Sequence, residues 1–259
     1  MTSQTIALFR YLMLGIVSRR LFVLLAVLLL TAVLSGSFIQ QLAIINSGAI
    51  VGAFIADQLR YSLALLALLM VASAVAEDYE SSQFERLLTM PLARWQYIAA
   101  QFMVIACLCL LLVLPVGLLL SLYSGPVIGI YWAAALWLEL MLISLLGLLA
   151  ILSLEKIPPA VFFTLAIYLL AKLSGLISEM LAQSVYLSDG SAASRALELF
   201  FSAILYVIPG NSSFAQNDVF FEAANLFTAL ASQFLSVAVY ALFLLAACLV
   251  DFYRKEFNF

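Results

Sequence analysis

Six stretches of the sequence are almost wholly apolar and long enough to cross a bilayer as helices. They cover residues 21–42, 61–76, 97–122, 132–154, 160–181 and 226–250. A hydrocarbon core of about 30 Å requires about 20 residues of helix. The second stretch is the shortest, and it becomes long enough if its helix begins near Gly52 in the apolar residues before it. The pattern predicts an all-α polytopic membrane protein, with six transmembrane helices forming one transmembrane domain over residues 1–259.

Basic residues near the ends of these stretches predict their orientation, because Lys and Arg are enriched in cytoplasmic loops. With six spans, both termini share a side with the loops 77–96 and 155–159. That side carries eight of the 11 basic residues, whereas Arg60 and Arg195 fall on the opposite side and Lys172 lies within a span. Both termini are therefore predicted to be cytoplasmic. The eight are Arg10, Arg19, Arg20, Arg86, Arg94, Lys156, Arg254 and Lys255.

Two further apolar segments do not fit the length of a span. In residues 1–20, apolar side chains such as Phe9 and Met13 recur at helical spacing, which predicts an amphipathic helix at the cytoplasmic interface. The alternative is an apolar helix buried against the spans. Residues 182–225 form the long exterior loop, and its apolar run 196–208 has only 13 residues. This run predicts a re-entrant or interfacial helix before the last span.

Composition narrows the chemistry that the chain can perform. The sequence is 66% hydrophobic and 10% charged, and it contains no His, three Cys and no GxxxxGK[ST] phosphate loop. Cys107 and Cys109 point to different sides of one helix, which is not the spacing of a metal site. We therefore predict no catalytic residue, no metal ligand and no cofactor bound directly. The net charge of −3 and the lack of a basic stripe also argue against nucleic-acid binding.

Charge is concentrated in the loop 77–96, between the second and third spans. This loop holds six of the 25 charged residues (11 basic and 14 acidic). Ser82 and Glu85 have the spacing of a capping box, which predicts the start of a short helix. Phe84, Leu87 and Leu88 would form the apolar face of that helix, which ends before Pro91. The pattern predicts a short amphipathic helix that lies on the membrane surface and is joined to two spans.

Residues 77–101, EDYESSQFERLLTMPLARWQYIAAQ, resemble the signature of type-2 ABC exporter permeases. That signature has an acidic pair, Gly-Thr, Glu-x-Leu-Leu, Pro-x-Ser-Arg and Gly-Lys. Glu85, Leu87, Leu88, Pro91 and Arg94 stand at matching places, whereas Ser-Gln, Ala and Ala-Gln replace the Gly-Thr, the Ser and the Gly-Lys. Six spans, an N-terminal interface helix and a re-entrant helix before the last span are also features of this family. The segment from 208 to 214 is most similar to permeases of gliding-motility and copper-reductase-maturation systems.

The resemblance implies a non-catalytic transmembrane subunit in the inner membrane of a bacterium. Its expected partners are two cytoplasmic ABC ATPase subunits, which bind ATP and Mg, a second permease copy, either identical or a paralogue, and an exterior or periplasmic protein. ATP hydrolysis would drive export of an unidentified substrate or mechanical work on the exterior partner. The residues expected to couple to the ATPase are Ser82, Phe84, Glu85, Arg86, Leu87, Leu88, Pro91 and Arg94.

Other functions remain open at this point. The loop 77–96 could be a solvated charged connector, and the chain could then be a membrane scaffold or an insertion factor without an ATPase. An intramembrane enzyme is disfavoured because no span presents a nucleophile with a base or paired Asp residues. A secondary transporter is disfavoured because its spans usually carry more polar groups at the midplane.

Two charged residues lie inside the predicted spans, where charge is costly and therefore marks candidate sites. Glu139 is seven residues from the outer end of the fourth span, and Lys172 is nine from the outer end of the fifth. Their depths differ by only about 3 Å at 1.5 Å per residue. We predict an intramembrane ion pair between Glu139 and Lys172. The alternatives are contact of Lys172 with a substrate and extension of Lys172 to the lipid headgroups.

Overall fold

The computed structural model describes residues 9–10, 12–13, 21–42, 47–80, 94–187 and 226–254 of the 259. Apart from Gly125, Glu155 and Lys156, these residues are helical, and no strand occurs among them. They form six long helices, α1 (Leu21–Leu42), α2 (Ser47–Glu80), α3 (Arg94–Ser124), α4 (Pro126–Leu154), α5 (Ile157–Leu187) and α6 (Leu226–Arg254). The predicted all-α architecture is confirmed.

Five of the helices in the described part of the chain are long and apolar enough to cross a membrane. These are α1, α2, α3, α4 and α6, whereas the apolar part described for α5, Ile157–Leu173, is shorter than a span. The protein is therefore an α-helical membrane protein with at least five candidate spans.

The second predicted span is considerably longer in the structure than in the sequence pattern. It was expected at 61–76, but α2 begins at Ser47 and ends at Glu80. The apolar residues after Ser47 extend the helix, because an isolated Asp57 and Arg60 do not interrupt a helical backbone. The start of the loop predicted at 77–96 is correspondingly helical, and α3 already begins at Arg94.

The connection between α3 and α4 is a single residue, whereas the third and fourth predicted spans, 97–122 and 132–154, are separated by residues 123–131. Gly125 has φ 90°, a conformation that side chains disfavour, and Pro126 follows at the first turn of α4, where its ring fits. The two helices fold back on each other as an antiparallel hairpin. A Cβ on Gly129 of α4 would lie 2.7 Å from the backbone of Ser121 on α3, so only glycine permits this approach.

Helix α4 occupies the centre of the described bundle. It packs against α2, α3, α5 and α6, whereas α1 packs mainly against α2. Most of α4 is buried, including Trp132, Leu136 and Leu140 at 0% exposure. The hydrophobic core of the protein is therefore built around α4.

Only four residues of the predicted N-terminal interface helix are described. Phe9, Arg10, Leu12 and Met13 are helical. Leu12 is buried, Phe9 and Met13 pack against the core, and Arg10 is exposed. The described part of this segment therefore packs apolar side chains on the protein and leaves Arg10 exposed. The predicted exterior helix at 196–208 lies outside the described residues.

Candidate functional site

Four charged side chains meet among α2, α4 and α5, well away from the ends of these helices. They are Asp57 and Arg60 on α2, Glu139 on α4 and Lys172 on α5. Arg60, Glu139 and Lys172 are each at least 13 residues from either end of their helix. That separation corresponds to about 20 Å along a helix. We call these four residues the charged cluster.

Glu139 is the centre of the charged cluster. Its side chain is 0% exposed, and its Oε1 lies 3.0 Å from Nζ of Lys172 and accepts a 2.7 Å hydrogen bond from the Tyr168 hydroxyl. Its other oxygen, Oε2, lies 3.8 Å from Nε of Arg60. The structure thus brings together Glu139 and Lys172, the two residues that the sequence predicted to pair. It adds two partners from α2 and α5 that the sequence pattern did not indicate.

Arg60 corrects the sequence interpretation most clearly. It was assigned to the exterior, outside the second span, but it lies within α2 with only 5% of its surface exposed. Its guanidinium group lies between two carboxylates, with Nη1 at 3.5 Å from Oδ1 of Asp57 and Nε near Glu139. It also stacks over the Trp132 ring, with Cζ at 5.6 Å from the ring centroid. The signal in the sequence was Asp57 and Arg60 at helical i, i+3 spacing just before the predicted span.

Aromatic rings surround the charged cluster. Nζ of Lys172 lies 5.9 Å from the centroid of Tyr168, and Tyr168 packs edge-on against Tyr61 at 6.3 Å between centroids. Tyr168 is 3% exposed and Tyr61 is 46% exposed. Tyr168 on α5 is therefore enclosed with the charged cluster, whereas Tyr61 on α2 is in part open.

The four charges cancel, which is what burial at this depth requires. A single charge at the centre of a membrane helix costs about 2.5–3.5 kcal/mol on insertion scales. Opposite charges in contact offset that cost, and removal of one partner leaves the other buried and unpaired. The charged cluster therefore joins α2, α4 and α5 at one point by electrostatic contacts.

Uncharged polar groups join the other helices. The Gln233 amide on α6 donates to the Ala135 carbonyl on α4 at 2.9 Å, and the Trp137 indole on α4 donates to the Ala106 carbonyl on α3 at 3.1 Å. On the α1 side, the Ser35 hydroxyl donates to Oε1 of Gln58 at 2.7 Å. Within the described ranges, no group of three His, Cys, Asp or Glu residues has an arrangement that could hold a metal ion.

Most of the residues predicted to contact an ATPase lie outside the described part of the chain. These are Ser82, Phe84, Glu85, Arg86, Leu87, Leu88 and Pro91. Arg94 is the first residue of α3. Below it, Tyr97 stacks on Phe252 of α6 at 5.5 Å and accepts a hydrogen bond from Gln101 at 3.0 Å. The residues 81–93 therefore connect two long helices that also pack against each other.

The fold and the site together define an α-helical membrane protein. The charged cluster lies at the centre of its described bundle, and the four charges of this cluster sum to zero. No family model matches the sequence, and no curated protein is significantly similar to it.

Proposed function

We propose that this chain is the transmembrane permease subunit of an ATP-driven ABC exporter. Two cytoplasmic ATPase subunits, carrying ATP and Mg, would bind it, and a second permease copy would complete the transporter. It would lie in the inner membrane of a bacterium, with six spans and both termini cytoplasmic. In this proposal the chain itself catalyses nothing, and its work is export of a substrate or movement of an exterior partner.

The observation that carries the proposal is the sequence of the α2–α3 connection. Residues 81–93 bear most of the permease-like signature, including Glu85, Leu87, Leu88 and Pro91, and they join two helices that pack against each other. A connection between two packed helices can transmit a push into the bundle, because a movement of either helix acts on the other.

The charged cluster supplies a route for that push. Helix α2 carries Arg60, which contacts Glu139 on α4, and Glu139 in turn contacts Lys172 on α5. A shift of α2 along its axis would strain the 3.8 Å Arg60–Glu139 contact before the 3.0 Å Lys172–Glu139 contact. ATP binding by the partner would in this way change the packing of α2 against α4 and α5.

Copurification with an ATP-binding subunit tests the proposal. The tagged chain is purified from its native membranes in mild detergent and photolabelled with azido-ATP. We expect a separate labelled subunit that is present with the wild-type chain and lost with Glu85→Arg, because a reversed charge would face the ATPase groove. Glu155→Arg, an exposed charge reversal between α4 and α5, is the matched control and should retain it.

Two outcomes would contradict the proposal. One is a purified chain without any labelled ATP-binding subunit. The other is a Glu85→Arg chain that retains the subunit in full. Either would favour the scaffold or insertion-factor interpretation, in which the loop 77–96 tolerates substitution.

A further inference from the structure

Between Gly48 and Ala76, the exposed residues of helix α2 form one narrow stripe. Successive members of this exposed stripe are three or four residues apart, so they lie on one face of the helix. They are Ile50, Phe54, Asp57, Tyr61, Leu65 and Leu69. Asp57 is the one charged member, and 52% of its side chain is exposed.

The depth of Asp57 makes its exposure unusual. The apolar part of α2, Gly48–Ala76, has 29 residues. At 1.5 Å per residue this is about 42 Å, which exceeds a hydrocarbon core of about 30 Å. With the helix centred in the membrane, Asp57 lies about 7 Å inside the hydrocarbon boundary. Charged side chains at such depth face water-filled cavities or the interior of a bundle, and they mark substrate paths.

Helices α1 and α5 both contact α2 beside the exposed stripe, and we call the surface between these contacts the groove. Ser35 of α1 bonds to Gln58 of α2 on one side of the stripe. On the other side, Tyr168 of α5 packs edge-on against Tyr61. Both helices therefore flank the exposed stripe and leave its centre uncovered.

The side chains at the centre of the stripe have a specific chemistry. Phe54 lies one turn before Asp57 and Tyr61 one turn after it, and the two rings are 42% and 46% exposed. A carboxylate between aromatic faces attracts a cation by charge and by cation–π contact, while the rings accept apolar substituents. The contact with Arg60 uses Oδ1 of Asp57 at 3.5 Å, and a carboxylate has about four acceptor sites.

An anion would not fit the same groove. The two cations of the charged cluster, Arg60 and Lys172, have only 7% and 10% of their side chains exposed, and both contact the buried Glu139. They therefore do not present positive charge on the exposed stripe. Among the described residues of the charged cluster, Asp57 is the one whose charge is exposed at the groove, with 52% of its side chain accessible.

We propose that the groove on α2 binds an organic monocation with apolar substituents, between Phe54 and Tyr61 and against Asp57. Its identification as the exported substrate rests on the proposed function, but the binding itself needs no ATPase. A lipophilic ammonium or phosphonium compound has the required charge and apolar surface.

Binding to the purified chain tests the proposal with a pair of probes of equal shape and opposite charge. Tetraphenylphosphonium and tetraphenylborate are measured separately by equilibrium dialysis against the chain in detergent. We expect saturable binding of the phosphonium and none of the borate. Asp57→Asn should weaken phosphonium binding at least tenfold, whereas Asp57→Glu should keep it within about threefold. Tyr61→Leu should weaken it severalfold through loss of the aromatic face.

Equal phosphonium binding by wild type and Asp57→Asn would overturn the proposal, as would saturable binding of the borate. Melting curves of each variant identify a loss caused by misfolding. Because no ATPase is present, this experiment can fail while the ATPase still copurifies, and the reverse is equally possible.

Water access provides a measurement that does not depend on the carboxylate. In a background with Cys107, Cys109 and Cys248 replaced by Ala, we compare Asp57→Cys with Leu34→Cys, a position on α1 that is 60% exposed. A charged, membrane-impermeant thiosulfonate should modify position 57 in vesicles and leave position 34 unmodified. Equal failure to react at both positions would show that the α2 face lies against lipid, which excludes the proposed groove.

Discussion

Helices α1 and α4 are both strongly apolar, yet they occupy opposite environments in the bundle. In an apolar segment of 18 residues within α1, 17% of the residues are buried, whereas in the corresponding segment of α4 83% are buried. Helix α1 exposes Val23, Leu30, Leu34 and Phe38, each by 60% or more. Helix α4 is exposed mainly near its two ends, at Val127, Ile130 and Leu154. Apolarity therefore determines which helix enters the membrane but not where it lies in the bundle.

The difference between the two helices lies in their small and polar residues. On α4, Gly129 lies against the backbone of α3, Gly147 approaches Leu68 of α2, and Glu139 contacts both α2 and α5. On α1, Thr31 and Ser37 donate to carbonyls of their own helix, and the close contacts at Ser35 and Gly36 are with α2. Lipid tails are as apolar as Leu, so helix association in a membrane depends on close approach and interhelical polar contacts.

The largest expected effect is removal of the carboxylate at the centre of α4. Glu139→Gln should destabilise the protein by about 3 kcal/mol or more, because it leaves Arg60 and Lys172 buried without their shared counter-ion. The free energy of unfolding in detergent micelles measures this loss. Glu155→Gln, the same change at the exposed end of α4, is the control and should alter stability by about 0.5 kcal/mol or less.

A double-mutant cycle that combines Glu139→Gln with Lys172→Met measures the interaction energy between these two side chains. Charge removal is preferable to a charge swap, because a lysine at position 139 would lie next to Arg60. We expect the double variant to be less unstable than the sum of the single variants by about 1–3 kcal/mol. Strict additivity would show that the two side chains do not interact.

A smaller effect is expected from a methyl group at the closest helix contacts. Gly129→Ala should destabilise the protein by about 1–3 kcal/mol, since the new Cβ meets the Ser121 backbone at 2.7 Å and backbone atoms cannot move aside locally. Gly36→Ala on α1 is the matched change. Its Cβ meets the end of the Ile55 side chain at 2.5 Å, which can rotate. The melting temperature of Gly129→Ala should be well below that of Gly36→Ala. The opposite order would contradict the central position of α4.

The smallest effect concerns a single interhelical hydrogen bond. Gln233→Leu removes the donor to the Ala135 carbonyl of α4 and should cost about 0.6 kcal/mol, the average for such bonds in a membrane protein. Ser37→Ala on α1 removes a bond within one helix, and we expect a change too small to measure. If Ser37→Ala costs as much as Gln233→Leu, the contrast between the centre and the periphery does not hold for polar contacts.

The boundaries of the helices show where sequence reasoning succeeds and where it stops. The first stretch, 21–42, coincides with α1, because a peripheral helix is delimited by hydropathy alone. The second stretch, 61–76, leaves out the 14 residues from Ser47 to Arg60, although the sequence allowed the helix to begin near Gly52. In the bundle Arg60 meets Glu139 on α4 as well as Asp57 on its own helix, and the local pattern cannot represent the contact with α4.

The charged cluster was predictable in part for the same reason. Glu139 and Lys172 interrupt long apolar runs, so their equal depth was sufficient to predict the pair. Arg60 was missed because it was assigned to a loop. Tyr168 was missed because a tyrosine within an apolar run does not indicate a polar partner. Their contacts with Glu139, at 3.8 and 2.7 Å, depend on how α2 and α5 are placed around α4.

The sequence by itself determined that this is an all-helical membrane protein, because apolar runs of sufficient length have one stable backbone conformation in lipid. It also determined that its scarce charges are concentrated in one loop and at two buried positions. Only the tertiary structure decided that α4 is central and α1 peripheral, that Arg60 is buried, and that Asp57 is exposed. These facts depend on which side chains approach one another across helices. The hydropathy of a helix does not specify which helices it will pack against.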